Sequence, residues 1–594
     1  MAGAAALSPE TVPRRRALTG PAVARAGAPA AIAVLAAGLR LAGVGAGRPD
    51  PFYDAAVRSM GTSWHAFLTG AFEPGARVAI DKPPIDLWLQ VAATKVLGFG
   101  TTALVLPAAI DGTLAVLALF HLLDVLFGRR AALAGALALA VLPIAVVSAR
   151  SDTMDSVMAA LVTAAAALTA RSARSGSRLT LAAAGLALGL AFEVKLFEAL
   201  LAAPALGALW WLGSDGGRRR RFGGLVGAGA VFAVVAVAWV GVMALVPAGS
   251  RPYALGSSNG SPANAVFVYD GLDRLRGRPQ PRSRPPTAAA LARAPAGPGP
   301  LRLLSPRADL EGRAGVAVLA ALAGLALALA TGAHRELDRI GRAGLAALGL
   351  WLATGVVLLS AVHDLHPRYL ESVTPAVAAL IGAGAALGGR GRARFPVVIG
   401  FAAVIVAGLW VSGRAVATHA TDSGRPGWIA PARVAALSGY LHAHDGGARD
   451  EVATLAPSKA AQLIARDGRP VLVLANVDGR PIVPAGALAA AVARGSVRYA
   501  LVGSSCRVPG TAACAPAARW VRTHGVDVSR AAGQPHAGLV YRLRTRTPTR
   551  ARGRTSSPSR GAARRSRRRP SAARRHRRPA PRRSRSGRGR SAGR

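Results

Sequence analysis

Apolar residues in this chain come in long runs, mostly Ala, Leu and Val, interrupted by short basic or polar stretches. A helix needs about 20 apolar residues to cross a bilayer. Runs that fit lie near 29–47, 104–126, 131–149, 156–170, 179–194, 197–213, 222–247, 314–333, 343–361, 369–388 and 395–413. They predict about eleven transmembrane helices. Several are short, but rich in the Ala and Gly that let helices pack closely inside a bundle. Beyond 413 the pattern changes. Residues 470–475, 496–502 and 539–543 read as strands, and 430–443, 457–466 and 485–494 have helical spacing. The fold class expected is an α-helical polytopic membrane protein with a small α/β domain outside the membrane and a disordered basic tail.

Composition agrees with that picture. The chain has 594 residues, 52% hydrophobic and 17% charged, with a mean hydropathy of +0.34, which excludes an ordinary soluble enzyme and a disordered chain alike. The formal net charge is +46, and 21 Arg with no acid fall between Arg544 and Arg594. That Arg/Ser/Pro tail cannot bury a core. Outside a cell its partners would be anionic envelope polymers or lipid headgroups, and no nucleic acid is expected. Two Cys exclude a disulfide scaffold. Cys506 and Cys514 share one loop; they pair in an oxidising compartment or remain thiols.

The loops set an expected orientation. Arg14–Arg16, Arg129–Arg130, Arg171 to Arg178, Arg218–Arg221, His334 to Arg342 and Arg390 to Arg394 are basic and fall on every second loop. The positive-inside rule puts them in the cytoplasm with the N-terminus. The basic N-terminal patch then precedes a first transmembrane helix rather than a cleaved signal peptide. Four parts follow: a cytoplasmic basic N-terminus (1–28), a transmembrane domain (29–413), an extracytoplasmic α/β domain (414–543) and the tail (544–594). Loops 48–103, 149–155, 249–312 and 362–368 share the outer face.

Ionisable groups near a bilayer are costly and therefore functional candidates. The first outer loop carries Asp50, Tyr53, Asp54, Arg58 and Trp64. Asp50 is either a general base toward an acceptor hydroxyl or a helix cap. Asp81-Lys82-Pro83-Pro84 holds an acid and a cation in a rigid turn, suited to a phosphate headgroup or to a plain surface ion pair. Arg150, Asp152 and Asp155 join two outer helix ends; the acids share a helix face or serve the helix dipole. Glu193 and Lys195 lie between two apolar runs. His363, Asp364, His366, Arg368 and Tyr369 could grip a phosphate, whereas their spacing matches no specific metal site. No cofactor is assigned, and a divalent metal stays open.

These motifs resemble the GT-C membrane glycosyltransferases, and within them family 39, the aminoarabinose transferases and protein O-mannosyltransferases. The nearest pattern is that of bacterial mannosyltransferase-like proteins with an extracytoplasmic C-terminal domain. The likeness rests on Phe52-Tyr53, Arg58-Ser-Met60, Ser63-Trp64, Asp81-Lys82-Pro83-Pro84 and Trp88. It continues through Phe127-Gly128, Arg150-Ser-Asp152, Asp155, Gly189-Leu-Ala-Phe192, Lys195, Arg251-Pro-Tyr253, Gly256-Ser, Asn259 and His366-Pro-Arg368-Tyr369. The resemblance implies transfer of a sugar, mannose being the family guess, from a polyprenyl phosphate to a protein, glycolipid or wall polymer outside the cell. It assigns Asp50 to the second acid of a first-loop pair. Pro49 stands at the first, with Asp54 a candidate substitute, and Asp81 is the acid of the turn. Lys82, Lys195, Arg368 and Tyr369 would hold the donor phosphate. Tyr53, Arg58, Trp64, Arg150, Asp152, Asp155 and His366 would line the cavity. The competing class is a polytopic transporter or lipid flippase, against which stand the lack of an internal repeat and the clustering of polar groups in outer loops.

Overall fold

The computed structural model describes residues 20–277, 297–304, 309–363, 365–388, 394–422, 429–503, 506 and 512–544. The tail, Arg14–Arg16, Asp364 and the Pro/Arg-rich stretch 278–296 lie outside the described residues. Among the described residues, six helices are long and apolar enough to cross a membrane: Ala26–Ala46, Thr101–Phe127, Asp155–Ser175, Arg339–Ala361, Pro367–Leu387 and Arg394–Ala417. A bent pair, Arg218–Ala236 and Ala238–Leu245, meets at 44° and adds a seventh. The chain is thus a multi-pass membrane protein.

The expected count of eleven is not reached by length and composition, and the reasons are local. The 131–149 run is broken into Arg129–Val141 and Pro143–Ser148, because Pro143 has no amide hydrogen to continue the helix. Residues 197–213 begin as a tight 3-10 coil, Leu196–Ala202, before the α-helix Ala203–Gly213. Helix Arg178–Lys195 is only 18 residues long. Small residues nevertheless seat these pieces: a Cβ on Gly185 would lie 2.4 Å from the Ala228 carbonyl oxygen. At the rim, Phe395, Val406 and Trp410 of Arg394–Ala417 are exposed, as a lipid-facing surface requires.

The loop 48–103 folds into short helices, Pro51–Met60, Trp64–Thr69 and Ile85–Leu97. Asp50 and Ser63 cap the first two, their side chains accepting from the Phe52 and Ala66 amides. Gly70 ends the second at φ 68°, a left-handed turn that glycine adopts without a Cβ clash. Strand β1 (Val78–Ala79) then pairs in parallel with β2 (Tyr253–Ala254), tying this loop to the long outer loop.

Beyond the bundle, β3 (Val452–Thr454), β4 (Val471–Val473), β5 (Tyr499–Leu501), β6 (Gly525–Asp527) and β7 (Val540–Leu543) form one sheet in the order β4-β3-β5-β7-β6. The three expected strands are β4, β5 and β7. The pairs β3/β4 and β3/β5 are parallel, and β5/β7 and β6/β7 antiparallel. Helices Pro431–His444, Pro457–Asp467, Ala485–Ala493 and Pro516–His524 accompany the sheet. Cys506 and Cys514 are joined by a disulfide. Helix Pro457–Asp467 packs on Pro51–Met60, so the sheet domain sits against the first outer loop.

Candidate active site

Between loops 48–103 and 249–312 and the helical bundle lies a cavity of about 720 Å³. Asp50, Tyr53, Asp81, Lys82, Lys195, Arg368 and Tyr369 all line it, although they span more than 300 positions of the chain. Its apolar wall includes Leu196, Leu200, Leu201, Leu358 and Leu359. Volume and lining fit the usual range of ligand sites, a mostly apolar hollow with a few converging polar groups.

Each cation is held differently. Lys82 lies 3.5 Å from Asp81 and 5.9 Å from the centroid of the Tyr53 ring. Both members of the turn are about nine-tenths buried. Burial opposes the charge on Lys82, but Asp81, Tyr53 and Asp270 outweigh it and raise its pKa, so the ammonium stays charged. Burial raises Asp81, and Lys82 counters part of that.

Lys195 ends helix Arg178–Lys195, and Leu196 follows at φ 53°, a conformation rare for a branched side chain. The break turns the ammonium away from the helix toward Asp155, 2.5 Å distant, and Glu198, 3.6 Å distant. Arg368 Nε is 4.0 Å from the other oxygen of Asp155. One buried carboxylate thus sits between two cations. The Lys195 ammonium also lies 5.1 Å from the Tyr369 ring centroid.

The acids of the first loop form a second group. The Asp50 backbone amide donates to both oxygens of Asp152, at 2.9 and 2.8 Å. Burial, then the charges of Asp152 and Asp50, hold the Asp54 carboxyl well above its ordinary pKa. Asp50 caps a helix and lines the cavity at once.

Other candidates stand elsewhere. Arg150 does not line the cavity: its guanidinium donates to the carbonyls of Leu39, Arg40 and Ala42, at 3.2, 3.3 and 2.7 Å, satisfying the end of the first helix. Arg58 covers the Phe99 ring at 4.9 Å. Trp64 is 79% exposed and points away, which suits a ring at a membrane interface. His366 sits beside Tyr369, with ring centroids 6.0 Å apart. Burial and the neighbouring Arg368 pull its pKa down to about 3, so its ring is neutral.

Several lining residues escaped sequence reasoning. The coil Asn264–Leu272 is π-helical, a rare geometry common at functional sites, and it delivers Tyr269 and Asp270 to the cavity. Arg274, one turn on, pairs with Asp270 and donates to the Tyr369 hydroxyl at 2.6 Å. The four-residue Asp270–Arg274 spacing was the available signal. Asp422 accepts from Thr153 Oγ1 at 3.0 Å, and burial pushes its pKa up to about 6.

Comparison with known proteins bears on both halves of the chain. Residues 81–240 match the dolichyl-phosphate-mannose-protein mannosyltransferase family, and 437–524 match the family described as putative mannosyltransferase YkcB-like, C-terminal. Two curated relatives come from Bacillus subtilis (strain 168). Putative mannosyltransferase YkcB is 31% identical over 229 residues, 39% of this chain and 32% of that protein. Putative mannosyltransferase YycA is 30% identical over 229 residues, 39% of this chain and 33% of that protein. The chain therefore spans about a third of the length of the curated relatives it matches.

Among solved structures, apo ArnT from Cupriavidus metallidurans superposes with a TM-score of 0.54 at 17% identity, over 81% of this chain and 93% of that one. The archaeal oligosaccharyltransferase AglB from Archaeoglobus fulgidus, in complex with an inhibitory peptide and a dolichol-phosphate, gives 0.51 at 14% identity, over 80% and 69%. The chain thus has the GT-C fold of membrane glycosyltransferases, its membrane part similar to the dolichyl-phosphate-mannose-protein mannosyltransferases over 81–240 and its sheet domain to the YkcB-like C-terminal domain.

Proposed function

We propose that this protein is an integral-membrane glycosyltransferase that moves a sugar, mannose by analogy with its relatives, from a polyprenyl phosphate to an acceptor on the extracytoplasmic face. The observation that carries the reading is the cavity itself. Lys82, Lys195, Arg274 and Arg368 all line a hollow whose Leu-rich wall suits a prenyl chain. The AglB structure, of the same fold, holds a dolichol-phosphate. The orientation that the basic loops imply, N-terminus inside, opens this cavity outward.

In the reaction, an acceptor oxygen attacks the anomeric carbon while the bond from that carbon to the phosphate oxygen breaks. The electron pair leaves with the polyprenyl phosphate, whose added negative charge the four cations stabilise. The acceptor proton passes to a carboxylate. Asp50 suits this role best: it lines the cavity, whereas burial and the neighbouring Asp152 disfavour the charged form of Asp54, and Asp81 is engaged with Lys82. A single displacement inverts the anomeric configuration.

The test is sugar transfer by the full chain in proteoliposomes, using polyprenyl-phosphate sugars and reading product mass. Transfer from at least one donor, lost in Lys82→Ala, is the expected result. Equal transfer by wild type and by Asp50→Asn, Lys82→Ala and Arg368→Ala would remove the site.

A further inference from the structure

On the sheet domain, away from the cavity, His442, Glu451 and Asp467 converge, each offering a ligand atom within 4.8 Å of the others. His442 Nε2 lies 3.3 Å from Glu451 Oε1 and 4.0 Å from Asp467 Oδ2. Ligand atoms about 2.0–2.2 Å from one tetrahedral ion stand roughly 3.3 Å apart, so small side-chain movements would close the set on a metal.

The surroundings leave carboxylate oxygens without donors. The Glu451 side chain is fully buried, and neither of its oxygens accepts a hydrogen bond; Asp467 Oδ2 is likewise buried without a donor. Unmet buried carboxylate oxygens cost several kcal/mol in general. Asp467 also sits at the last position of helix Pro457–Asp467, where the helix dipole disfavours an anion. The neighbouring cations are engaged elsewhere. Arg469 pairs with Asp445 at 2.5 Å and donates to the Ala448 carbonyl, and Arg449 pairs with Asp450. Arg466 reaches only the other oxygen of Asp467, at 3.6 Å, and Ser438 donates to that same oxygen at 3.0 Å. Oδ2 is left facing Glu451 and His442.

We propose that His442, Glu451 and Asp467 hold a divalent metal ion of the zinc or manganese type. One imidazole with two carboxylates suits these ions better than Ca²⁺, which prefers all-oxygen shells. His442 is 43% exposed, leaving room for water to complete the shell. The ion would join helix Pro431–His444 to the end of Pro457–Asp467 and to the residue before β3. Because Pro457–Asp467 packs on Pro51–Met60, it would steady the helix whose cap is Asp50.

The experiment uses the full chain in detergent, purified without a polyhistidine tag, stripped by chelator, exposed to Zn²⁺, Mn²⁺ or Ca²⁺, and desalted. Metal content and unfolding midpoint are measured for wild type, His442→Ala and Asp467→Asn. We expect about one equivalent of Zn²⁺ or Mn²⁺ on wild type, with a raised midpoint, and neither effect in the variants. His442 is partly exposed, so its Ala variant should keep the metal-free midpoint. Absence of retained metal, wild-type retention in His442→Ala, or retention of Ca²⁺ alone would overturn the assignment.

Discussion

Asp155 and Lys195 meet at 2.5 Å across two helices, with 7% of the Lys195 side chain and none of the Asp155 side chain exposed. Glu198 and Arg368 stand close on either side. Removing one partner of a buried pair leaves the other charge uncompensated, which costs about 3–5 kcal/mol in general. Asp155→Ala should therefore lower the unfolding midpoint more than the double change Asp155→Leu with Lys195→Met. Thermal unfolding of the detergent-solubilised chain checks this, and equal losses would mean the pair is not coupled.

Lys82 and Arg368 should affect transfer through the leaving phosphate. Each Ala substitution is expected to lower kcat by about 10²–10³-fold, the usual effect of losing one preorganised charge-stabilising group. Lys82→Arg should recover part of it. Steady-state rates with a polyprenyl-phosphate sugar give the answer. A change confined to KM would assign Lys82 to ground-state binding only.

His366 should make folding sensitive to acid. Its folded pKa lies near 3, below its ordinary 6.5, so between those values the unfolded chain binds more protons. Stability from this group is full above about pH 6.5 and falls as the pH drops toward 3. His366→Gln should flatten that part of the curve of midpoint against pH. An unchanged slope would mean the ring is not held neutral.

Arg77 joins the first outer loop to the sheet domain. It lies 2.7 Å from Asp450 and 3.2 Å from Glu73, both fully buried. Its guanidinium also donates to the Val471 carbonyl at 3.1 Å. Arg77→Ala removes the cation these two carboxylates share, leaving Asp450 to Arg449 and Glu73 to the amides of Gly75 and Val471, and should raise protease cleavage within 430–540 several-fold without removing the fold. Limited proteolysis followed by mass spectrometry measures it, and wild-type cleavage rates would show the tie to be dispensable.

Sidedness is checked by single-cysteine labelling in a Cys-free background. Positions beside Lys82 and Arg368 should react with an impermeant reagent from outside intact cells, and positions in 334–342 should not. Opposite labelling of Lys82 and Arg368 would contradict a shared cavity.

The apolar runs determined the membrane class, several of the long helices and three of the five strands of the sheet described above, because burial in lipid or in a core imposes length and period on local sequence. Strands β3 and β6, three residues each, were too short to leave such a pattern. The acid–Lys turn and the His-Pro-Arg-Tyr segment were also legible, since proline and clustered charge are conspicuous within apolar sequence. Tertiary structure alone decided which charges meet. Arg150 looked like a cavity residue, but spends its donors on the carbonyls that end the first helix. Arg274 drew no reading from the sequence, yet reaches the Tyr369 hydroxyl 95 positions away. A charged side chain is costly to bury wherever it lies, so its residue type marks that cost; only the packed neighbours reveal whether a carbonyl, a carboxylate or an open cavity answers it.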